Sequence, residues 1–130
     1  MQDNKKISIL ILDDEEIVLK RLKPIFEKSG YDVETFLSSK DAYNRLKKQK
    51  FNIVITDMKM EDLDGMAILT YVKNHYPTTE VIVITGFATM DTARESFQKG
   101  VFEFLAKPFK LSDILDVVKK AEAKIRKING

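Results

Sequence analysis

The sequence predicts an α/β fold in which a five-stranded parallel sheet carries helices on both of its faces. Five short apolar runs, rich in Ile and Val, are typical of strands that are buried on both sides. Each run is followed by a segment whose apolar residues recur at helical spacing. Because strands and helices alternate strictly, we expect parallel strands joined by right-handed crossovers. The sheet is therefore predicted to be doubly wound, with polar loops along one edge.

Each strand is predicted from a run of apolar or alternating residues that ends abruptly in polar ones. Strand one is ISILIL, which stops at Asp13, and strand three is the run from Phe51 that ends on Asp57. Strand two, DVETF, is less uniformly apolar, so we expect it nearer the edge of the sheet. The predicted strands cover residues 7–12, 32–36, 51–57, 81–84 and 101–105.

The helices are predicted from their apolar spacing and from the residues that stop each run. Ser29-Gly30 and Lys99-Gly100 end the first and fourth helices, because glycine readily adopts the conformation found just after a helix. Ser38 or Ser39 caps the second helix, and Pro77 terminates the third. The helices are expected to begin near Ile17, Ser39, Gly65, Met90 and Leu111.

Length and composition limit the classes of function that need to be considered. A chain of 130 residues suits one domain, which we expect to cover residues 1–130. The net charge of +2 comes from scattered basic and acidic residues, which argues against nucleic acid as the main partner. No apolar run approaches the ~20 residues that span a bilayer, so no membrane association is expected. The absence of cysteine and the polar start fit a cytoplasmic protein.

Polar side chains follow four of the five predicted strands at the same edge of the sheet. They are Asp13 and Asp14, Asp57, Thr85, and Lys107. Taken singly, each has a simpler explanation as a helix cap, a turn residue or a solvated lysine. Taken together, three carboxylates would repel, since two unit charges ~4 Å apart cost about 4 kcal/mol at an effective dielectric constant of 20. The set therefore requires positive charge among the carboxylates.

Two sources of positive charge fit these residues. Oxygen ligands without His or Cys favour a hard cation, and a site with room for water and phosphate oxygens suits Mg²⁺ better than Ca²⁺. Lys107 supplies an ammonium group, and Thr85 adds a hydroxyl donor. Metal, ammonium and hydroxyl together are suited to hold the oxygens of a phosphoryl group.

These residues, in this order and spacing, resemble the receiver domain of two-component response regulators. The resemblance covers nearly the whole chain, and the segment from Val81 to Phe109 is most similar to receivers of nitrogen-regulation-type transcriptional activators. The family implies a flavodoxin-like sheet with strand order 2-1-3-4-5. The matching motifs are Asp13-Asp14, Asp57, Thr85-Gly86 and Lys107-Pro108-Phe109.

The resemblance implies a role for each matching residue. Asp57 would be the nucleophile that accepts a phosphoryl group from a sensor histidine kinase. Asp14, Asp57 and the main-chain carbonyl of Lys59 would ligate Mg²⁺, with Asp13 assisting. Such a protein is a signalling receiver and catalyses only its own phosphorylation and slow dephosphorylation.

The resemblance also implies a switch. Thr85 and Lys107 would bind the transferred phosphoryl group, and a cis peptide before Pro108 would direct the lysine inward. Phe104 matches the aromatic switch position of the family. The surface formed by helix four, strand five and helix five is the expected face for a homodimer or a downstream effector domain.

Three other functions are open to a chain with these residues. A magnesium-dependent phosphohydrolase of the haloacid dehalogenase type would carry a second aspartate two residues after the first, where this chain has Lys59. Nucleotide binding is disfavoured because neither GxxxxGK[ST] nor GxGxxG occurs. An interaction module that has lost the chemistry is disfavoured by the intact acidic pair Asp13-Asp14, by Thr85 and by Lys107.

Overall fold

The computed structural model describes residues 5–58 and 64–129, and these form five strands and five helices in strict alternation. The strands are β1 (Ser8–Leu12), β2 (Asp32–Phe36), β3 (Ile53–Asp57), β4 (Glu80–Thr85) and β5 (Glu103–Ala106). The helices are α1 (Glu16–Lys28), α2 (Ser39–Lys48), α3 (Gly65–His75), α4 (Met90–Gln98) and α5 (Leu111–Asn129). None of the helices in these ranges is long and apolar enough to cross a membrane.

All strand pairs are parallel, and the sheet order is β2-β1-β3-β4-β5. This order confirms the predicted doubly wound, flavodoxin-like α/β architecture. It places β1 and β3 side by side in the centre, with β2 at one edge, as its less uniform pattern predicts. The chain reverses its direction of winding between β1 and β3, which is where ligands bind in sheets of this kind.

One face of the sheet is covered by α1 and α5. Alternate side chains of the central strands point to this face, as the two-residue period of a strand requires. The helices contribute apolar residues at spacings of three and four, with Phe26 of α1 and Val118 of α5 fully buried. The buried helical residues of this cluster are Leu19, Leu22, Phe26, Ile114, Val118, Ala121 and Ile125.

The opposite face is covered mainly by α2 and α3. Here Leu46 of α2 and Leu69 of α3 are fully buried against Val54 and Val83 of the sheet. The fourth helix adds little to this cluster, because Ser96 is its buried residue and Phe97 is half exposed. At its start, α4 has a capping box in which Thr89 and Thr92 exchange hydrogen bonds between side chains and backbone.

The fifth strand starts later than the sequence predicts. The predicted strand covers residues 101–105, whereas β5 is Glu103–Ala106. The N–H of Val101 donates a hydrogen bond of 3.0 Å to the carbonyl of Ser96 in the last turn of α4. This bond, with Gly100 at a φ of 97°, closes the helix and delays the strand.

Candidate functional site

The carboxyl ends of β1 and β3 bring the three predicted carboxylates together. Leu12 pairs with Thr56 in the ladder, so the next residues, Asp13 and Asp57, lie side by side at the carboxyl ends of neighbouring strands. Carboxylate oxygens of Asp13, Asp14 and Asp57 all lie within 4.8 Å of one another. Asp13 and Asp57 are buried, while Asp14 is exposed. The site is therefore a pocket of negative charge with one open side.

Lys107 enters this pocket from the end of β5. Its Nζ lies 3.0 Å from Asp57 Oδ2, 2.8 Å from Asp13 Oδ2 and 2.6 Å from Glu15 Oε1. The backbone N–H of Lys107 donates a hydrogen bond of 2.8 Å to the carbonyl of Thr85, which fixes the end of β5 beside the end of β4. The peptide bond between Lys107 and Pro108 is cis.

Burial and charge act in opposite directions on these groups. Burial lowers the pKa of Lys107, but its contacts with Asp13, Glu15 and Asp57 outweigh burial and raise the pKa above the ordinary 10.5. Burial raises the pKa of Asp13 above 3.8, although the nearby ammonium of Lys107 opposes this shift. Both pKa values are therefore raised: the carboxylates decide the shift of Lys107, whereas burial decides that of Asp13. One lysine therefore compensates only part of the buried negative charge.

The remaining charge makes the pocket suitable for a cation. Asp13 Oδ1 accepts a hydrogen bond of 2.8 Å from the N–H of Glu15, but the buried Oδ2 accepts none from the described residues and has only the ion pair with Lys107. An oxygen in this position has lone pairs available, and a carboxylate-only set is the donor type that hard cations take. Asp13, Asp14 and Asp57 thus fit a metal site typical of receiver domains.

The two predicted switch residues lie on the same face of the sheet. Phe104 pairs with Val83 and Ala106 with Thr85, so Phe104 and Thr85 are related by the two-residue period across neighbouring strands. Thr85 is fully buried, and its hydroxyl accepts a hydrogen bond of 3.0 Å from the N–H of Phe87. Phe104 is half-buried against the cluster under α2 and α3.

Two features of the site are missed by the sequence reasoning. Glu15 contacts Lys107, although in the sequence it is one of four consecutive acidic residues and is not distinguished from its neighbours. Gly65 lies so close to the backbone of Asp57 and Met58 that a Cβ atom would collide with it. The N–H of Gly65 also donates a hydrogen bond of 2.8 Å to the carbonyl of Met58. The predicted main-chain ligand, Lys59, lies outside the described residues.

The sheet order, the acidic pocket and the inserted lysine together define a phosphoacceptor module of two-component signalling. Such a module is a signalling component and is not a conventional enzyme. The family model described as "Response regulator receiver domain" matches residues 9–119, and the chain belongs to that family.

Curated relatives and solved structures agree with this assignment. The transcriptional regulatory protein ZraR of Salmonella typhimurium is 30% identical over 121 residues, which cover 93% of this chain and 27% of that protein. The DNA-binding transcriptional regulator NtrC of Proteus hauseri is 27% identical over 90% of this chain and 25% of its own length. The chain therefore spans about a quarter of the length of these relatives.

Two solved structures share both fold and sequence with this chain. A response regulator receiver domain protein from Clostridium thermocellum is 33% identical, with a TM-score of 0.86, over 94% of this chain and 98% of that chain. The beryllofluoride-activated NtrC4 receiver domain dimer is 35% identical, with a TM-score of 0.85, over 91% of this chain and 98% of that chain.

Proposed function

We propose that Asp57 is the phosphoacceptor and that residues 1–130 act as one receiver domain. The observation that carries the proposal is the convergence on the Asp57 carboxylate of two further carboxylates and the Lys107 ammonium. A carboxylate oxygen of Asp57 attacks the phosphorus of a phosphohistidine on a sensor kinase. The P–N bond breaks, its electron pair stays on the imidazole, and an acyl phosphate forms on Asp57.

The residues around Asp57 support this transfer in distinct ways. Asp13, Asp14 and Asp57, with the carbonyl of Lys59, would hold Mg²⁺, which supplies positive charge for the phosphoryl oxygens. Lys107 already contacts the accepting carboxylate and is placed to follow the charge as it moves onto the phosphoryl group. The buried hydroxyl of Thr85 is the proposed donor to a phosphoryl oxygen.

A cavity of about 570 Å³ opens directly onto this site and supports approach by another protein. Its lining includes the charged residues Asp14, Asp57 and Lys107 and the apolar residues Val18 and Phe109. A kinase domain that presents a phosphohistidine would find an apolar surface beside the acceptor. A cytoplasmic location remains our expectation for this encounter.

Phosphorylation is proposed to act through Thr85 and Phe104 on the surface formed by α4, β5 and α5. Hydrogen bonds to charged groups contribute about 1.5 to 3 kcal/mol each, so Thr85 and Lys107 together would favour the phosphorylated arrangement by several kcal/mol. Moving a two-state equilibrium from 1:99 to 99:1 takes ~5.5 kcal/mol, so the proposed switch is feasible.

The exposed apolar residues Met90 and Phe97 of α4 support an association role for this surface. A receiver that is 35% identical forms a dimer when activated by beryllofluoride. We propose that this chain pairs with a second copy through the same surface, or with an effector domain.

Incubation with Mg²⁺ and acetyl phosphate or beryllofluoride tests these proposals. Intact-mass spectrometry should detect one added phosphoryl group in the wild type, and sedimentation of the beryllofluoride adduct should reveal a larger species. Asp57→Asn should abolish both changes, whereas Asp41→Asn, at an exposed position of α2 outside the proposed surface, should leave them intact. Continuous release of phosphate without an adduct would indicate a hydrolase, and no reaction at all would indicate an inert module.

A further inference from the structure

The side chain of Glu15 is directed to Lys107 although its position in the fold suggests another task. Glu15 is the N-cap residue of α1, where a side chain commonly accepts hydrogen bonds from the first turn. Its side chain makes no capping bond, and Oε1 instead lies 2.6 Å from Lys107 Nζ. Among the described residues, this is the shortest of the three contacts that Lys107 makes with carboxylates.

Three carboxylates among the described residues surround the ammonium group of Lys107. It donates hydrogen bonds to Glu15 and Asp57 and forms an ion pair with Asp13 at 2.8 Å. A phosphoryl oxygen that approaches Lys107 therefore competes with these contacts for the ammonium group. Which contact breaks determines how easily the lysine reaches the transferred group.

Glu15 is the partner that is cheapest to release. Asp13 is completely buried, so losing its ion pair would leave an uncompensated charge in the interior. Asp57 is the accepting group and has to stay near the lysine. The side chain of Glu15 is 56% exposed, so water can solvate its carboxylate as soon as the contact breaks.

Glu15 also lacks a place in the proposed cation site. The carboxylates that meet within 4.8 Å are those of Asp13, Asp14 and Asp57, and Glu15 is not part of that group among the described residues. Its backbone N–H orients Asp13 Oδ1, but this contribution does not depend on the side chain. Among the described residues, the contact that the Glu15 carboxylate makes at this site is the one with Lys107.

We propose that Glu15 is a positioning residue that restrains Lys107 until a phosphoryl group displaces it, so that it sets how readily the acceptor site is occupied. The proposal rests on the function proposed above. An incoming phosphoryl group carries more negative charge than one carboxylate and presents three oxygens, so it competes successfully for the lysine. The Glu15 contact opposes this exchange and weakens binding of the phosphoryl group.

Glu15→Gln tests this role, because it removes the charge and keeps the size of the side chain. Beryllofluoride is the probe, titrated at saturating Mg²⁺ and followed by fluorine NMR. We expect Glu15→Gln to bind beryllofluoride roughly three- to tenfold more tightly than the wild type, as suits one half-exposed charged hydrogen bond. The midpoint of thermal unfolding should change by no more than about 2 °C, since the contact is at the surface.

The decisive control is the same substitution in a Lys107→Met background. If Glu15 acts through the lysine, Glu15→Gln should leave beryllofluoride affinity unchanged there. Glu16→Gln is the matched charge control, since Glu16 pairs on the surface with Lys20 at 3.6 Å and should have no effect in either background.

The outcomes separate this role from the phosphoacceptor function. An adduct in the wild type with equal or weaker beryllofluoride binding in Glu15→Gln would overturn the Glu15 role and leave the phosphoacceptor function standing. A gain that persists without Lys107 would mean that Glu15 acts only as a general negative charge, which also overturns it. Failure of the wild type itself to form an adduct would overturn both.

Discussion

Helices α1 and α4 both follow strands that end at the acidic pocket, but they are held to the sheet in different ways. Within α1, all of whose residues are described, Leu19, Leu22 and Phe26 are buried in the core. Within α4, which is also fully described, Ser96 is the one buried residue. The α4 residues Met90 and Phe97 are 77% and 52% exposed.

This difference divides the surroundings of the site into a fixed part and an adjustable part. The acidic residues before α1 are supported by a helix whose apolar face is fully packed, so their geometry is hard to change. Residues between Thr85 and α4 are supported by a helix with few buried apolar contacts, which is the property of segments that open or shift at low cost. A change at Thr85 can therefore be passed to α4 while the carboxylates stay in place.

The largest effect that tests this comparison is on global stability. Phe26→Ala should lower the free energy of unfolding by about 3–5 kcal/mol, because a fully buried aromatic side chain leaves a cavity. Phe97→Ala should change it by less than about 0.5 kcal/mol, since the ring is half exposed. Urea denaturation measures both values. A cost above ~2 kcal/mol for Phe97→Ala would contradict the view that α4 is lightly packed.

A smaller effect concerns the local stability of α4. Thr89 accepts a hydrogen bond of 3.0 Å from the N–H of Thr92, so Thr89→Ala should cost about 1 kcal/mol of helix stability. Because α4 has little else to hold it, hydrogen exchange of its amides should accelerate by roughly fivefold or more.

The matched control for the α4 cap is Ser38→Ala, which removes the cap of α2. The Ser38 hydroxyl accepts a hydrogen bond of 3.3 Å from the N–H of Asp41. Since α2 buries Ala42 and Leu46, its amides should remain protected after the substitution. Equal acceleration of exchange in both helices would remove the distinction between packed and lightly held helices.

The smallest effect is a pH dependence of stability that arises on the sheet face covered by α1 and α5. Glu122 of α5 accepts a hydrogen bond of 2.7 Å from the Tyr31 hydroxyl, which joins the α1–β2 turn to α5, and another of 2.7 Å from Arg126 Nε within α5. Burial alone raises the pKa of Glu122, but these hydrogen bonds outweigh it and lower the pKa below 4.5. The stabilisation is therefore present above pH 4.5 and is lost as the pH falls through the lowered pKa.

Glu122→Gln should reduce this loss of stability in acid, by less than about 1 kcal/mol, because the group is partly solvated. Urea denaturation at a series of pH values from 7 downward gives the measurement. Glu95→Gln, at an exposed position of α4, is the control and should leave the acid profile unchanged. If the two variants had the same profile, the Tyr31–Glu122–Arg126 contacts would not contribute to the acid response.

Most of the fold was predictable because each element has a strong local signal. The uniformly apolar pattern of β3 and β4 identifies buried parallel strands, and Gly30 and Gly100, with φ of 96° and 97°, mark helix ends. The convergence of Asp13, Asp57 and Lys107 also follows from the sequence, since parallel strands in one sheet end at the same edge.

What the sequence could not supply depends on contacts between distant segments. The direction of the Glu15 side chain depends on the position of Lys107 after β5, and no local sequence pattern predicts the contact between these two residues. The delayed start of β5 depends on a backbone donor being used by α4. In the sequence Gly65 resembles an ordinary helix start, but the structure requires glycine there because the backbone of Asp57 is so close.

The contact at Gly65 has a consequence for the direction of any movement. Gly65, the first residue of α3, lies against the backbone of Asp57 with no room for even one added carbon, so Asp57 cannot move towards α3 when a phosphoryl group is attached. We expect the displacement to run in the other direction instead, across β4 towards the lightly packed helix α4. The tight contact at Gly65 thus determines which way the acceptor can move.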